Sequence, residues 1–194
     1  PSPPHAANDG RPLIIRMGKR LRGTINRLST AQSIIPTEPV LRPDFFDWTE
    51  RLANNWQTIA GEAAAILRHR DAVPPLSDIS PDHARIAGDG NWRSFFLIGY
   101  GYEVPENCAR APETAALVRD IPDLNSAFFS ILEPGATIPR HRGVTRGLVT
   151  CHLGLIVPDQ PQQCVMQVED TELFWEAGKW LVFDDSCFHE VHNH

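Results

Sequence analysis

Two histidines mark the stretch of this chain best equipped for chemistry. His141 ends the run Ser130-Ile-Leu-Glu-Pro-Gly-Ala-Thr-Ile-Pro-Arg-His141, and His189 lies within Phe183-Asp-Asp-Ser-Cys-Phe-His189-Glu-Val191. Turn residues precede each: Pro134-Gly135 and Pro139 before one, Asp184-Asp185-Ser186 before the other. Imidazole is the commonest protein ligand of divalent transition metals, and short strands joined by turns bring distant residues to one ion. A familiar iron site sets His-x-Asp or His-x-Glu on one strand and a histidine on another. Here the carboxylate position holds Gly143, so that anionic ligand is missing. From spacing and composition alone, His141 and His189 are either a metal-binding pair or ordinary hydrogen-bonded histidines.

Neighbouring groups have plainer readings. Asp184 and Asp185 precede a turn, where aspartates hydrogen-bond backbone amides. Strand alternation sets His189 and Val191 on one face and Glu190 and His192 on the other, which ranks His192 below His189 as a ligand. Trp175, Trp180, Phe128 and Phe129 are core by default. Four cysteines (Cys108, Cys151, Cys164, Cys187) form no C-x-x-C pair, and are expected as buried thiols in a reducing compartment.

These residues need a scaffold, and 194 residues suffice for one domain with a real core. The net charge is -6, yet residues 11–27 carry six basic side chains and no acidic one; removing that +6 leaves -12 on the remainder. An acidic body argues against a nucleic-acid partner. No apolar run reaches the roughly 18 residues of a membrane span. We therefore expect residues 1–40 as a basic, partly disordered N-terminal arm and 41–194 as the folded domain. The arm interleaves Leu13, Ile14, Ile15, Met17, Leu21 and Ile25 with its cations. It is either a solvated arm packed on the domain or a peripheral contact with an anionic membrane.

Asp47-Trp-Thr-Glu50 reads as a capping box, and Leu52, Trp56, Ile59, Ala60, Ala63, Ile66 and Leu67 recur at helical spacing, predicting a helix to about Arg70. Pro74-Pro75 ends it, and residues 74–91 read as a surface loop. Trp92–Tyr100 is a strand candidate, and Pro112–Arg119 a short helix with proline in its first turn. Short strands follow over 125–132, 148–157, 163–169, 179–184 and from about 187. Strands of this length with Pro/Gly turns and no helices between them predict a double-sheet jelly roll rather than an α/β sheet.

The pattern Ser130-x-x-x-Pro-Gly-x-x-x-x-x-His141, His152-Leu-Gly-Leu, and Trp175-Glu-x-Gly-Lys-x-x-x-Phe-Asp-Asp-Ser-x-x-His189-Glu-Val191 closely resembles the aspartyl/asparaginyl β-hydroxylase family. The resemblance is strong over residues 130–191 and extends back to Trp92. It implies a mainly β fold, a double-stranded β-helix (jelly roll, cupin-like) with flanking N-terminal helices. It also implies an Fe(II)- and 2-oxoglutarate-dependent dioxygenase that hydroxylates an unactivated C–H bond. That family holds iron with two histidines and has glycine where the carboxylate would stand, so Gly143 fits it. By this resemblance His141 and His189 are the iron ligands. His152 contacts the cosubstrate 2-oxoglutarate, Ser130 binds its distal carboxylate, and Trp92 borders the pocket.

Two departures stand out. The family sets an arginine about ten residues past the second histidine, a guanidinium suited to grip a carboxylate. This sequence ends at His194, so its closing strand is expected to be incomplete. Thr150 also stands where the family often has arginine, and Arg146 or Arg142 is nominated to supply that charge. The expected substrate is an Asp/Asn-type residue or amino acid, or a lipid A acyl chain, with dioxygen as the other reactant. The expected site of action is cytoplasmic, peripheral at the inner face of a membrane if the basic arm binds one. Two alternatives stay open: a catalytically inactive jelly-roll binding module, and a cupin-type metal enzyme that does not use 2-oxoglutarate.

Overall fold

The computed structural model describes residues 31, 33–80, 83, 85–87, 90–143 and 145–194. The basic segment 11–27, with its expected membrane contact, lies outside the described residues. In chain order the elements begin with β1 (Val40–Leu41), α1 (Trp48–Asn54), α2 (Trp56–Leu67) and α3 (Leu76–Ile79). Next come β2 (Trp92–Gly99), β3 (Tyr102–Glu103), α4 (Pro105–Cys108) and α5 (Pro112–Arg119). The rest is strand: β4 (Ala127–Leu132), β5 (Thr137–His141), β6 (Val149–Leu153), β7 (Cys164–Val168), β8 (Thr171–Phe174), β9 (Trp180–Asp184) and β10 (His189–Asn193).

The helix expected from Asp47 is in fact two. Asn55 leaves helical geometry (φ -109°, ψ 12°) between α1 and α2, and its side-chain amide donates to the Arg51 carbonyl at 2.8 Å. Such local bonding competes with the helix ladder. The capping box does not form either, because Asp47 is itself helical and makes no side-chain cap bond. The Thr49 hydroxyl instead donates to the Pro43 and Phe46 carbonyls of the preceding turn. The amphipathic reading of this region is correct: Leu52, Ile59, Ala63 and Ile66 are buried in one cluster with Phe95, Leu97 and Phe129. The predicted helix at Pro112–Arg119 is α5.

The architecture is mainly β, with three antiparallel sheets ordered β1-β9-β6, β5-β10-β7-β8 and β3-β2-β4. All five strands expected after residue 125 are present, with trimmed ends. Missed were β1, β3, β5 and β8, which are short or, in β5, carry a proline. Two cores result from strand alternation. Phe95, Leu97 and Phe129 face the helices, whereas Ile138, Met166, Val168, Leu181, Phe183 and Val191 form a second cluster, with Trp92 and Leu132 packed against it. The helical layer is pinned to the strands by Trp180, whose indole N–H donates to the Thr49 carbonyl at 2.9 Å and whose ring meets Trp48 edge-on. No helix among the described residues is long and apolar enough to cross a membrane.

Gly154, the glycine of His152-Leu-Gly-Leu, has a packing reason to be there. Its N–H donates to the Lys179 carbonyl, and a Cβ at this position would stand 2.2 Å from the Glu176 carbonyl oxygen. Backbone cannot yield as a flexible side chain can. Gly154→Ala should therefore lower unfolding stability by about 1–3 kcal/mol, read as a lower midpoint in urea denaturation.

Candidate functional site

His141 ends β5 and His189 begins β10, and the two are paired directly across that antiparallel ladder. The register shifts between His189 and Val191, an irregularity that falls beside the histidine itself. The imidazole centroids are 4.2 Å apart with planes at 60°. Each ring is fixed the same way, His141 Nδ1 on the Pro139 carbonyl at 2.8 Å and His189 Nδ1 on the Cys187 carbonyl at 2.9 Å. A carbonyl only accepts, so the proton resides on Nδ1 and the lone pair is left on Nε2 in both rings. Burial is the main force holding the His141 pKa below the ordinary histidine range. The neighbouring His189 adds to that, with the Pro139 carbonyl and Asp185 acting the other way. Two imidazoles whose Nδ1 is taken by a carbonyl and whose Nε2 is left for the site are, at this separation, a donor set that suits a divalent transition metal. Among the described residues no group of three or more His, Cys, Asp or Glu side chains could hold a metal, so the candidate centre rests on two.

Asp185 was misjudged from sequence. Asp184 behaves as expected, accepting from the Ser186 amide at 2.8 Å. The Asp185 carboxylate instead lies 3.6 Å from His189 Nε2. It also fills the space beside Gly143: a Cβ on Gly143 would sit 1.7 Å from Asp185 Oδ2. The Gly143 amide donates to the Asp185 carbonyl at 2.7 Å, locking the two turns together. A negative charge therefore does border the histidine pair, arriving from the turn before β10 rather than from the position two after His141.

His152, on β6, is drawn into the same group through Phe183. The Phe183 ring meets His189 at 5.0 Å and His152 at 5.5 Å, and Trp175 stacks on His152 at 5.9 Å. Trp175 is thus a wall of the site rather than plain core. Burial between these rings pushes the His152 pKa down to about 4, His189 adding to it, so this imidazole is neutral near pH 7. It still keeps part of its surface open to the cavity. Trp92 and Ser130 also meet, the indole N–H donating to the Ser130 hydroxyl at 2.9 Å. Arg146 lines the same cavity, 4.0 Å from Asp184, whereas Arg142 lies away from it over the Phe188 ring. His192 points to the far face of β10 towards Glu190, apart from His189. Of the residues nominated from sequence, His141, His189 and His152 gather around Phe183, while Trp92 and Ser130 bond to each other.

The thiols take no part. All four cysteines are free, and burial raises the pKa of Cys151 to about 12 and also raises those of Cys164 and Cys187, which keeps them protonated.

Residues 53–194 match the family model described as aspartyl/asparaginyl beta-hydroxylase. The chain belongs to the aspartyl/asparaginyl β-hydroxylase family. It is 38% identical over 156 residues to the ornithine lipid ester-linked acyl 2-hydroxylase of Rhizobium tropici, covering 80% of this chain and 56% of that protein. It is 30% identical over 165 residues to human aspartyl/asparaginyl beta-hydroxylase, covering 81% of this chain and 21% of the relative. Against human aspartate beta-hydroxylase domain-containing protein 2 the identity is 35% over 162 residues, 80% of this chain and 42% of the relative. The chain thus spans little more than half of the first relative and less than half of the other two.

Within this family member the depressed His152 pKa carries a pH signature. The unfolded chain takes up a proton at position 152 below its ordinary pKa of 6.5, and the folded chain resists doing so until about 4. Stability should therefore fall as pH drops through that window and level off below it. Urea unfolding free energies measured across the window should show this slope, flattened in His152→Gln.

Proposed function

We propose that this chain is an Fe(II)- and 2-oxoglutarate-dependent hydroxylase acting on an unactivated C–H bond, built on a double-stranded β-helix of jelly-roll type. The observation that carries the reading is the pair of carbonyl-tethered imidazoles, His141 and His189, offering Nε2 to one another's space. These two would hold Fe(II). When bound, the iron and 2-oxoglutarate supply the oxidising power that breaks the C–H bond.

The remaining work belongs to the chain's own side chains. Ser130, having accepted from Trp92, keeps its hydroxyl proton to donate to the distal carboxylate of 2-oxoglutarate. Neutral His152 has an imidazole edge for the same molecule, and Arg146 brings a positive charge to the cavity wall. Phe183 and Trp175 exclude water on that side. Asp185 sets a negative charge beside the histidines that would balance a bound cation. The substrate is an acyl chain of a lipid, the class that names the bacterial relative; an Asp/Asn-type residue is the second reading, after the human relative. The four free thiols fit a cytoplasmic place of action.

Anaerobic addition of Fe(II) and 2-oxoglutarate should produce the weak visible charge-transfer band of a chelated ferrous site, with succinate formed once air is admitted. His141→Ala and His189→Ala should lose both signals, while His192→Ala keeps them. A His192→Ala variant that behaves like His189→Ala would overturn the ligand assignment, and a protein without the band is a binding module or another type of cupin. A methyl group at position 143 would push the Asp185 carboxylate out of its place beside His189. Gly143→Ala and Asp185→Asn should each weaken Fe(II) binding by about tenfold or more, followed by titrating that same band.

A further inference from the structure

The buried positions of β2 are Ser94, Phe95, Leu97 and Ile98, a serine among large apolar side chains. Ser94 is 1% exposed, and its hydroxyl has no hydrogen-bond partner among the protein's atoms. Valine would suit such a place better, because a hydroxyl taken out of water without a partner is costly. A group of this kind calls for a reason, and a ligand that completes the bond is one.

Strand register fixes which way that hydroxyl faces. Ser94 stands directly opposite Ser130 on β4, between the pairs Arg93 with Ile131 and Phe95 with Phe129. The Ser94 N–H donates to the Pro74 carbonyl at 3.2 Å, on the edge of β2 turned away from β4, where Pro75 bridges Arg93. Ser94 and Ser130 are therefore a pair with no backbone hydrogen bond between them. In such pairs the Cα atoms are only about 4.5 Å apart and the side chains lie closest. Alternation puts both serines on the face of Trp92, whose indole N–H already donates to Ser130, and away from Phe95 and Phe129, which pack with the helices.

We infer that Ser94 joins Ser130 in holding the distal carboxylate of 2-oxoglutarate, one hydroxyl to each carboxylate oxygen. The assignment rests on the hydroxylase reading and adds a second residue to that end of the cosubstrate. A serine hydroxyl turns about one torsion with three staggered positions, so that of Ser94 swings towards a carboxylate seated over Ser130. An ionised acceptor makes the bond stronger than a neutral one would. The pair also selects a carboxylate over a methyl group, which would leave both hydroxyl protons unused.

The test is a binding titration without turnover. Fe(II)-loaded protein is titrated anaerobically with 2-oxoglutarate and, separately, with 2-oxopentanoate, each followed by its charge-transfer band. The second acid keeps the chelating keto-acid end and carries a methyl group in place of the distal carboxylate. Ser94→Ala should weaken 2-oxoglutarate by about tenfold or more and leave 2-oxopentanoate within about twofold. Without ligand, the urea midpoint of Ser94→Ala should stay the same or rise, since the change removes an unpaired polar group. Ser94→Cys, close in shape but a weak donor, should show the same split and serves should the alanine variant lose its native circular dichroism. Unchanged 2-oxoglutarate affinity would overturn the inference, the hydroxyl then being satisfied by a buried water. Equal weakening of both acids would overturn it too, as the mark of a merely structural serine. Either result with a normal band in the unmodified protein strikes this inference alone, whereas absence of the band there strikes the hydroxylase reading and this assignment with it.

Discussion

One strand register holds the candidate centre together. His189 faces His141 only because β10 pairs with β5 as it does, and a slip of one residue would turn an imidazole to the opposite face. The register is enforced from the other edge as well, where β10 pairs with β7 over five consecutive residues, Val168 opposite His189 and Met166 opposite Val191. Val168 and Met166 are among the most deeply buried side chains. Moving the histidines would thus expose the middle of the second core, so the hydrophobic effect fixes a polar geometry.

The local device at each histidine is the same, a ring nitrogen bonded to the carbonyl two residues earlier. It sets the tautomer without recruiting another side chain. At His141 burial and the neighbouring His189 both oppose the charged form, so the close approach of the two rings works against ionising it.

Much of this was readable in the chain. Alternation along residues 189–193 placed His192 away from His189, and Asp184-Asp185-Ser186 announced the start of β10. The helical layer was visible from periodicity, although its break at Asn55 was not, because a side chain bonding its own backbone leaves no apolar signature. Asp185 and Trp175 escaped for a related reason. Both owe their roles to approach across the fold, Asp185 to the vacancy left by a missing Cβ at Gly143 and Trp175 to the stack on His152. Strand β5 escaped because Pro139 lies within it, which argues against a central strand in sequence, yet the proline sits at the edge of its sheet, where it is tolerated.

Phe183 is almost fully buried, and its ring touches both His189 and His152. It acts as a spacer between two imidazoles on different sheets, one on β10 and one on β6. No adjustment of that ring can be private to either neighbour. A lineage that altered it would have to readjust the surroundings of both imidazoles in a single step, which ties the two positions together.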